Sequence, residues 1–148
     1  MKTKVLFLCV GNSARSQMAE SILRQYGGDQ FEAYSAGMEA RGIHPLARQV
    51  IEEEGMSMEG QTSKTLDRYL GKEHFGYVIT LCDEAEERCP VFPGMTTRLH
   101  WNFEDPAAAQ GSEGEKLGKF REVRDQIQSR ILGWLAEQGV NVEQANAS

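Results

Sequence analysis

The stretch KVLFLCVGNSARS, residues 4–16, passes from an apolar run through a short polar loop into a helical pattern. Lys4–Cys9 is rich in strand-forming residues, and the apolar side chains of Ser16–Tyr26 recur at three- and four-residue steps. We therefore predict a strand, a tight loop and a helix, with Cys9 at the carboxyl end of the strand.

The predicted turn from strand to helix indicates a pocket for a tetrahedral anion beside a thiolate. Backbone N–H groups of a tight loop and of a helix N-terminus favour negative charge where they converge. The same field favours the thiolate form of Cys9, and the planar fork of Arg15 binds two oxygens of such an anion. The Ser16 hydroxyl is placed to donate a hydrogen bond to the Cys9 sulfur. The residues predicted to bind the anion are Gly11, Asn12, Ser13, Ala14, Arg15 and Ser16.

A plainer interpretation of the same segment stays open on the residues alone. Cys9 would then be a small buried hydrophobe at a strand end, without reactivity. Ser16 would be only the N-cap of the helix that follows.

Strand and helix patterns alternate along the rest of the chain. This alternation predicts one α/β domain over residues 1–140, with a short tail, 141–148, that is expected to fray. Strands joined through helices form a parallel sheet flanked by helices on both faces. Ligands of such sheets bind beyond the carboxyl ends of the strands, where we expect Cys9, Cys82 and Asp105 to meet. Further strands are predicted at Phe31–Ser35, Tyr77–Leu81 and Arg98–Trp101, and further helices at Pro45–Glu54 and Lys116–Gln138.

Cys82 and Cys89 are interpreted as a redox pair, because Cys89 lies in a charged, accessible segment just before Pro90. If Asp83–Arg88 is helical, seven residues at about 1.5 Å each separate the two Cα atoms by about 10 Å. A disulfide needs a separation below about 7 Å, so pairing demands that this segment unwinds. Two inert core thiols, or a zinc site at an unusual spacing, are the alternatives.

Asp105, in the segment WNFEDPA, is the candidate general acid that protonates an oxygen leaving the bound anion. Asp-Pro is also a turn signal, so a loop-capping aspartate is the alternative, and Glu104 is the rival acid. His44, His74 and His100 are scattered without ligand spacing and are expected to be structural.

The composition excludes several classes of protein. A net charge of −6 argues against nucleic acid or an anionic membrane as the partner. The apolar runs are too short to span a bilayer. Three cysteines are an odd number, which argues against a disulfide framework and favours a reducing, cytoplasmic setting. We expect no metal site and no cofactor.

Three segments, CVGNSARSQMAE, TLCDEAEERCP and WNFEDPA, together resemble the thioredoxin-coupled arsenate reductases, which share the fold of the low-molecular-weight protein tyrosine phosphatases. The resemblance implies a four-stranded parallel sheet flanked by helices and reduction of arsenate to arsenite. It implies that Cys9 is the nucleophile, Arg15 binds the oxyanion and Asp105 is the acid. Cys82 and Cys89 are then the redox relay that thioredoxin regenerates.

The chain departs from that family in two places. Ala14 stands where many relatives have a second cysteine, so Cys9 is the only sulfur in the loop. Some relatives bind a monovalent cation near the loop; Asn12, Glu20 and Ser35 match that site, but Lys64 stands where an aspartate is expected. Our hypothesis is that the Lys64 ammonium replaces the ion.

Two other functions are compatible with parts of the pattern. A small tyrosine phosphatase would use the same loop to hydrolyse phosphate monoesters through a phosphocysteine. It would leave Cys82 and Cys89 without a role, and Ala107–Ala109 stands where such phosphatases often carry a tyrosine. A thiol sensor or arsenite-binding module would use the three cysteines but leave the loop and Asp105 unexplained.

Overall fold

Four strands form one sheet at the centre of the computed structural model, which describes residues 2–140. The order in space is β2-β1-β3-β4, and all three neighbouring pairs are parallel. The predicted single α/β domain with a four-stranded parallel sheet is therefore confirmed. The expected tail, 141–148, lies outside the described residues. The strands are β1 (Thr3–Cys9), β2 (Phe31–Gly37), β3 (Tyr77–Thr80) and β4 (Thr97–His100).

Four α-helices and two short 3₁₀ helices connect and cover these strands. Most predicted bounds agree with the structure to within two residues. The α-helices are α1 (Arg15–Gly27), α2 (Pro45–Glu53), α3 (Asp83–Arg88) and α4 (Glu113–Glu137), and the 3₁₀ helices are Leu66–Arg68 and Pro106–Ala108.

The start of α4 differs from the predicted Lys116 by three residues. Ser112 and Glu115 form a capping box: Ser112 Oγ accepts from Glu115 N at 3.1 Å, and Glu115 Oε1 accepts from Ser112 N at 3.2 Å. This reciprocal pair satisfies two backbone donors and begins the helix at Glu113. The apolar periodicity used for the prediction starts later, so it missed the polar first turn.

The side chains of the central strand β1 alternate between two apolar clusters, one on each face of the sheet. Val5 and Phe7 pack with residues of α1, α2 and α4. Leu6 and Leu8 pack on the opposite face, in a cluster that includes Phe75. That second face is covered by the 3₁₀ helix 66–68 and the loop after it. The short helix α3 also lies on this face, since its Glu86 accepts a hydrogen bond from Thr80, the register neighbour of Leu8. The expectation of helices on both faces is therefore confirmed.

The carboxyl ends of β1, β3 and β4 lie side by side because the three strands are parallel neighbours. The loops that follow these ends converge on one edge of the sheet, as the switch-point rule for α/β folds expects. Among residues 2–140, no helix is both long and apolar enough to cross a bilayer.

Candidate active site

A cavity of about 480 Å³ opens at the carboxyl edge of the sheet. Cys9 ends β1, Cys82 follows β3 by two residues, and Asp105 follows β4 by five. All three line this one cavity, so the structure brings together residues up to 96 positions apart. The lining residues are Cys9, Val10, Gly11, Ser13, Ala14, Arg15, Arg41, His44, Cys82, Glu84, Asp105 and Ala107.

The Cys9 sulfur is buried and has a specific hydrogen-bonding partner. Cys9 Sγ lies 2.8 Å from Ser16 Oγ, and Asn12 Nδ2 donates to the same hydroxyl oxygen at 2.8 Å. Ser16 Oγ can donate its own proton to the sulfur while it accepts from Asn12. The Ser16 hydroxyl is thus the hydrogen-bonding partner of the Cys9 sulfur, as the sequence predicted.

Ser16 is not the N-cap of α1, which corrects the alternative stated above. The helix begins at Arg15, the N-cap position is Ala14, and no side chain caps it. The Ser16 hydroxyl forms hydrogen bonds with Cys9 and Asn12 instead. The first N–H groups of α1 are therefore not capped by a side chain of the protein, and they lie beside the cavity.

The side chain of Arg15 is buried and held in place by the loop after β4. Its NH1 group donates to the Phe103 carbonyl at 3.1 Å, and its NH2 group lies 3.8 Å from Asp105 Oδ2. One fixed nitrogen leaves the rest of the guanidinium fork available to an oxyanion in the cavity.

Asp105 caps a turn, as one of its two interpretations expected, and it also lines the cavity. Its Oδ1 accepts from Ala107 N at 3.0 Å and so caps the 3₁₀ helix 106–108, while its Oδ2 faces Arg15. Glu104, the rival acid, forms an ion pair with Lys119 at 3.3 Å. Only Asp105 of the two is among the cavity-lining residues.

Cys82 and Cys89 bracket α3 at its two ends. Cys82 is buried at the N-cap position and lines the cavity, whereas Cys89 is half-buried immediately after the helix. Burial raises the pKa of the Cys89 thiol, the neighbouring Glu86 raises it further, and Arg98 opposes the shift. All three cysteines are free. Because a helix separates the pair, a Cys82–Cys89 disulfide requires α3 to unwind.

The Lys64 ammonium lies within a polar network beneath the loop. Its Nζ donates to the Thr62 carbonyl at 2.5 Å and lies 3.4 Å from Asn12 Oδ1 and 3.5 Å from Ser35 Oγ. Glu20 Oε1 is 4.0 Å away and also accepts from Ser35 Oγ at 2.6 Å. Burial lowers the pKa of Lys64, and the nearby Glu20 charge partly offsets that effect. The four residues named in the cation hypothesis are thus in contact.

Five cavity-lining residues were not predicted as part of the site: Val10 and Ala107, which adjoin predicted residues, and three polar residues from elsewhere in the chain. Arg41 packs over the loop so closely that a side chain on Gly11 would lie 2.7 Å from its Cδ. His44 caps α2 by accepting from Leu46 N, a structural role as expected, but it also lines the cavity. Glu84, on α3, completes the rim. Arg41 and His44 belong to no local motif, so only the folded chain shows their position.

Residues 4–145 match the family model described as low molecular weight phosphotyrosine protein phosphatase. The chain belongs to this family. A tyrosine phosphatase of Erwinia amylovora, at 20% identity and a TM-score of 0.73, shares the same fold and covers 93% of each chain.

Within the family, the similarity to arsenate reductases is much greater. An arsenate reductase of Bacillus subtilis (strain 168) is 46% identical over 132 residues, covering 88% of this chain and 94% of its own. An arsenate reductase of Halalkalibacterium halodurans is 46% identical over 130 residues, covering 88% and 93%. A solved arsenate reductase in the oxidized state aligns with a TM-score of 0.77 at 32% identity, covering 93% and 98%. The resemblance inferred from the three motifs is therefore confirmed.

Proposed function

We propose that this protein reduces arsenate to arsenite by a relay of three cysteines that thioredoxin regenerates. The observation that carries the proposal is the shared cavity: the Cys9 and Cys82 thiols line one pocket beside Arg15 and an uncapped helix N-terminus. A hydrolytic site requires only one thiol there. The similarity to arsenate reductases supports the choice of arsenate as the oxyanion.

Arsenate binds first, held by backbone N–H groups of residues 11–16 and by the free part of the Arg15 fork. The Cys9 thiolate, hydrogen-bonded by Ser16, attacks arsenic. An oxygen leaves as Asp105 supplies its proton, giving a Cys9 sulfur–arsenic(V) adduct.

Reduction follows when Cys82 attacks the Cys9 sulfur. A Cys9–Cys82 disulfide forms, the sulfur–arsenic bond breaks, and its electron pair stays on arsenic, which leaves as arsenite. Arsenic gains two electrons and the two thiols lose two, so no other reductant takes part in this step. The burial of both sulfurs in one cavity supports this direct transfer.

Cys89 then attacks Cys82, producing a Cys82–Cys89 disulfide and releasing the Cys9 thiolate. This exchange moves the oxidised bond from the buried cavity to a half-buried position at the end of α3. Thioredoxin, a dithiol reductant, reduces the Cys82–Cys89 bond and returns the enzyme to its starting state. Val91 and Met95, two and six residues after Cys89, are 87% and 92% exposed and offer an apolar surface to such a partner.

Lys64 has a supporting role in the same proposal. Its ammonium supplies the positive charge that a monovalent cation would bring to Asn12, Ser35 and Glu20. Asn12 holds the Ser16 hydroxyl in place, so this charge helps to order the loop beneath Cys9.

Turnover with thioredoxin, thioredoxin reductase and NADPH tests the relay. Cys89→Ser is expected to release one arsenite per chain and then stop, while the wild type turns over repeatedly. Ser57→Ala, at an exposed serine that does not line the cavity, is the control and is expected to retain turnover within about twofold. Sustained turnover by Cys89→Ser would refute the relay.

The phosphatase alternative is tested in the same assay series. The family model favours phosphate monoester hydrolysis as a second candidate. A wild type that hydrolyses a phosphotyrosine analogue and consumes no arsenate would establish that function instead.

A further inference from the structure

A polar cluster attaches α3 to the sheet, and no step of the proposed mechanism uses it. Two of its members lie on α3, one ends β3, and two lie on β4. We call this set the α3 clamp. Its residues are Thr80, Asp83, Glu86, Arg98 and His100.

Both α3 carboxylates of the clamp, Asp83 and Glu86, bond to residues of the strands. His100 Nε2 lies 2.9 Å from Asp83 Oδ1, and His100 Nδ1 lies 2.8 Å from Thr80 Oγ1. Arg98 NH2 donates to Glu86 Oε1 at 3.0 Å, and the Thr80 hydroxyl donates to Glu86 Oε2. Thr80 is fully buried, so the centre of the cluster is shielded from water.

Little else holds α3 in place. It is six residues long, and Ala85 is its only buried residue. Its ion pair between Glu84 and Arg88 is internal to the helix and exposed, so it does not tie the helix to the sheet. The clamp therefore supplies most of the specific polar contacts that keep α3 on the sheet.

We propose that the α3 clamp sets the rate at which Cys89 reaches Cys82, with His100 and Arg98 as positioning residues for that exchange. This inference rests on the proposed function, because it concerns the second step of the relay. In that step the Cys89 thiolate attacks Cys82, the Cys82–Cys89 bond forms, the Cys9–Cys82 bond breaks, and the Cys89 proton passes to solvent. The numbers of electrons and bonds are conserved, so the clamp changes only how often α3 opens.

The clamp also separates the two exchanges in time. With α3 closed, Cys82 stays at the cavity beside Cys9, as the first exchange requires. With α3 open, Cys89 can approach Cys82 to within disulfide distance. A helix held by hydrogen bonds to three strand residues, Thr80, Arg98 and His100, favours the closed state, in which the first exchange takes place.

Hydrogen exchange of the reduced full-length chain tests the clamp without any arsenate. The amide of Glu86, which donates to the Cys82 carbonyl at 3.1 Å, reports whether α3 is closed. His100→Ala and Arg98→Ala are each expected to speed its exchange about tenfold. Arg88→Ala, which breaks only the exposed pair on α3, is the control and is expected to change it by less than about twofold. Unchanged exchange at Leu6 of β1 shows that the fold is intact.

A double mutant shows whether the effect passes through the proposed bond. If Asp83 and His100 act through one hydrogen bond, Asp83→Ala adds little to the effect of His100→Ala. Additive effects, or a response to Arg88→Ala as large as that to His100→Ala, would overturn the clamp.

Rapid-quench measurement of the disulfides connects the clamp to the reaction. His100→Ala is expected to form the Cys82–Cys89 disulfide about tenfold faster, and to form Cys9–Cys82 at the wild-type rate in a Cys89→Ser background. Faster exchange at Glu86 without faster Cys82–Cys89 formation would contradict the proposal. A wild type that never forms Cys82–Cys89 would instead refute the relay, while the hydrogen-exchange result would still report on the clamp.

Discussion

The loop at residues 9–16 and the segment around α3 lie on either side of one cavity, yet they are built in opposite ways. The loop is buried, and its polar side chains are bonded to one another, as Asn12 is to Ser16 and Ser35. The α3 segment is short and mostly exposed, and the residues beyond it include two exposed apolar side chains, Val91 and Met95. The difference indicates a division of labour. In the proposed relay, the loop holds an anion in fixed geometry and α3 moves a thiol.

The largest expected effect comes from a substitution in the loop at residues 9–16, which we call the fixed half of the site. Arg15→Lys keeps a positive charge but loses the planar fork and the bond to the Phe103 carbonyl. We expect kcat/KM for arsenate to fall by about 10²- to 10³-fold. Steady-state kinetics measure this loss, with Arg48→Lys on α2 as the control. A fall of less than about fivefold would mean that backbone N–H groups alone bind the oxyanion.

Weakening the thiolate inside the loop has the next largest effect. Ser16→Ala removes the hydrogen bond to the Cys9 sulfur and is expected to slow arsenite release about 30-fold, since hydrogen bonds to charged groups contribute about 2 kcal/mol. Alkylation of Cys9 by iodoacetamide, followed against pH, measures the change in the thiol directly. Ser57→Ala, at an exposed serine that does not line the cavity, is the control. Equal alkylation rates in Ser16→Ala and the wild type would show that Ser16 does not affect the reactivity of Cys9.

The segment around α3, the moving half of the site, is expected to depend on pH more than the loop does, through the rate of Cys82–Cys89 formation. Because burial raises the pKa of Cys89, little of it is thiolate at neutral pH. A raised acid pKa means that the thiolate appears only as the pH increases through the alkaline range. Formation of Cys82–Cys89 should therefore speed up by as much as about tenfold per pH unit between pH 7 and pH 8, until Cys89 ionises. Rapid-quench disulfide mapping measures this rate, which depends on the open fraction of α3 and on the thiolate fraction of Cys89. A flat profile would contradict the dependence on Cys89 ionisation.

The smallest expected effect concerns potassium. With the Lys64 ammonium in place, wild-type turnover should change by less than about twofold when potassium chloride replaces choline chloride at constant ionic strength. Lys64→Asp places a second carboxylate beside Glu20, so its activity should rise with added potassium. Lys64→Met should be slower than the wild type and insensitive to potassium. A strong potassium requirement in the wild type would refute the replacement of the ion by Lys64.

The two halves of the site also differ in how far they could be predicted from the sequence. The strand, loop and helix around Cys9 have a local pattern, so the fold and the pocket followed from neighbouring residues. The start of α4 was predicted three residues late because the capping box at Ser112 is polar.

The least predictable parts are contacts between distant segments. Arg41 at the cavity and the bond from His100 to Asp83 depend on how loops and strands meet, and no periodicity marks them. His100 was expected to be structural, and the structure shows that it contacts Asp83 of α3 and Thr80 of β3. Residues with a motif were thus predictable, and residues that act through tertiary neighbours were not.

Disulfide mapping after a single equivalent of arsenate tests the division between fixed loop and moving helix most directly. The reduced protein is mixed with arsenate, quenched by alkylation and digested, and the linked peptides are identified by mass spectrometry. The account predicts a Cys82–Cys89 bond in the wild type and a Cys9–Cys82 bond in Cys89→Ser, with one arsenite released in each. Arsenite release without a bond between Cys9 and Cys82 in Cys89→Ser would contradict it.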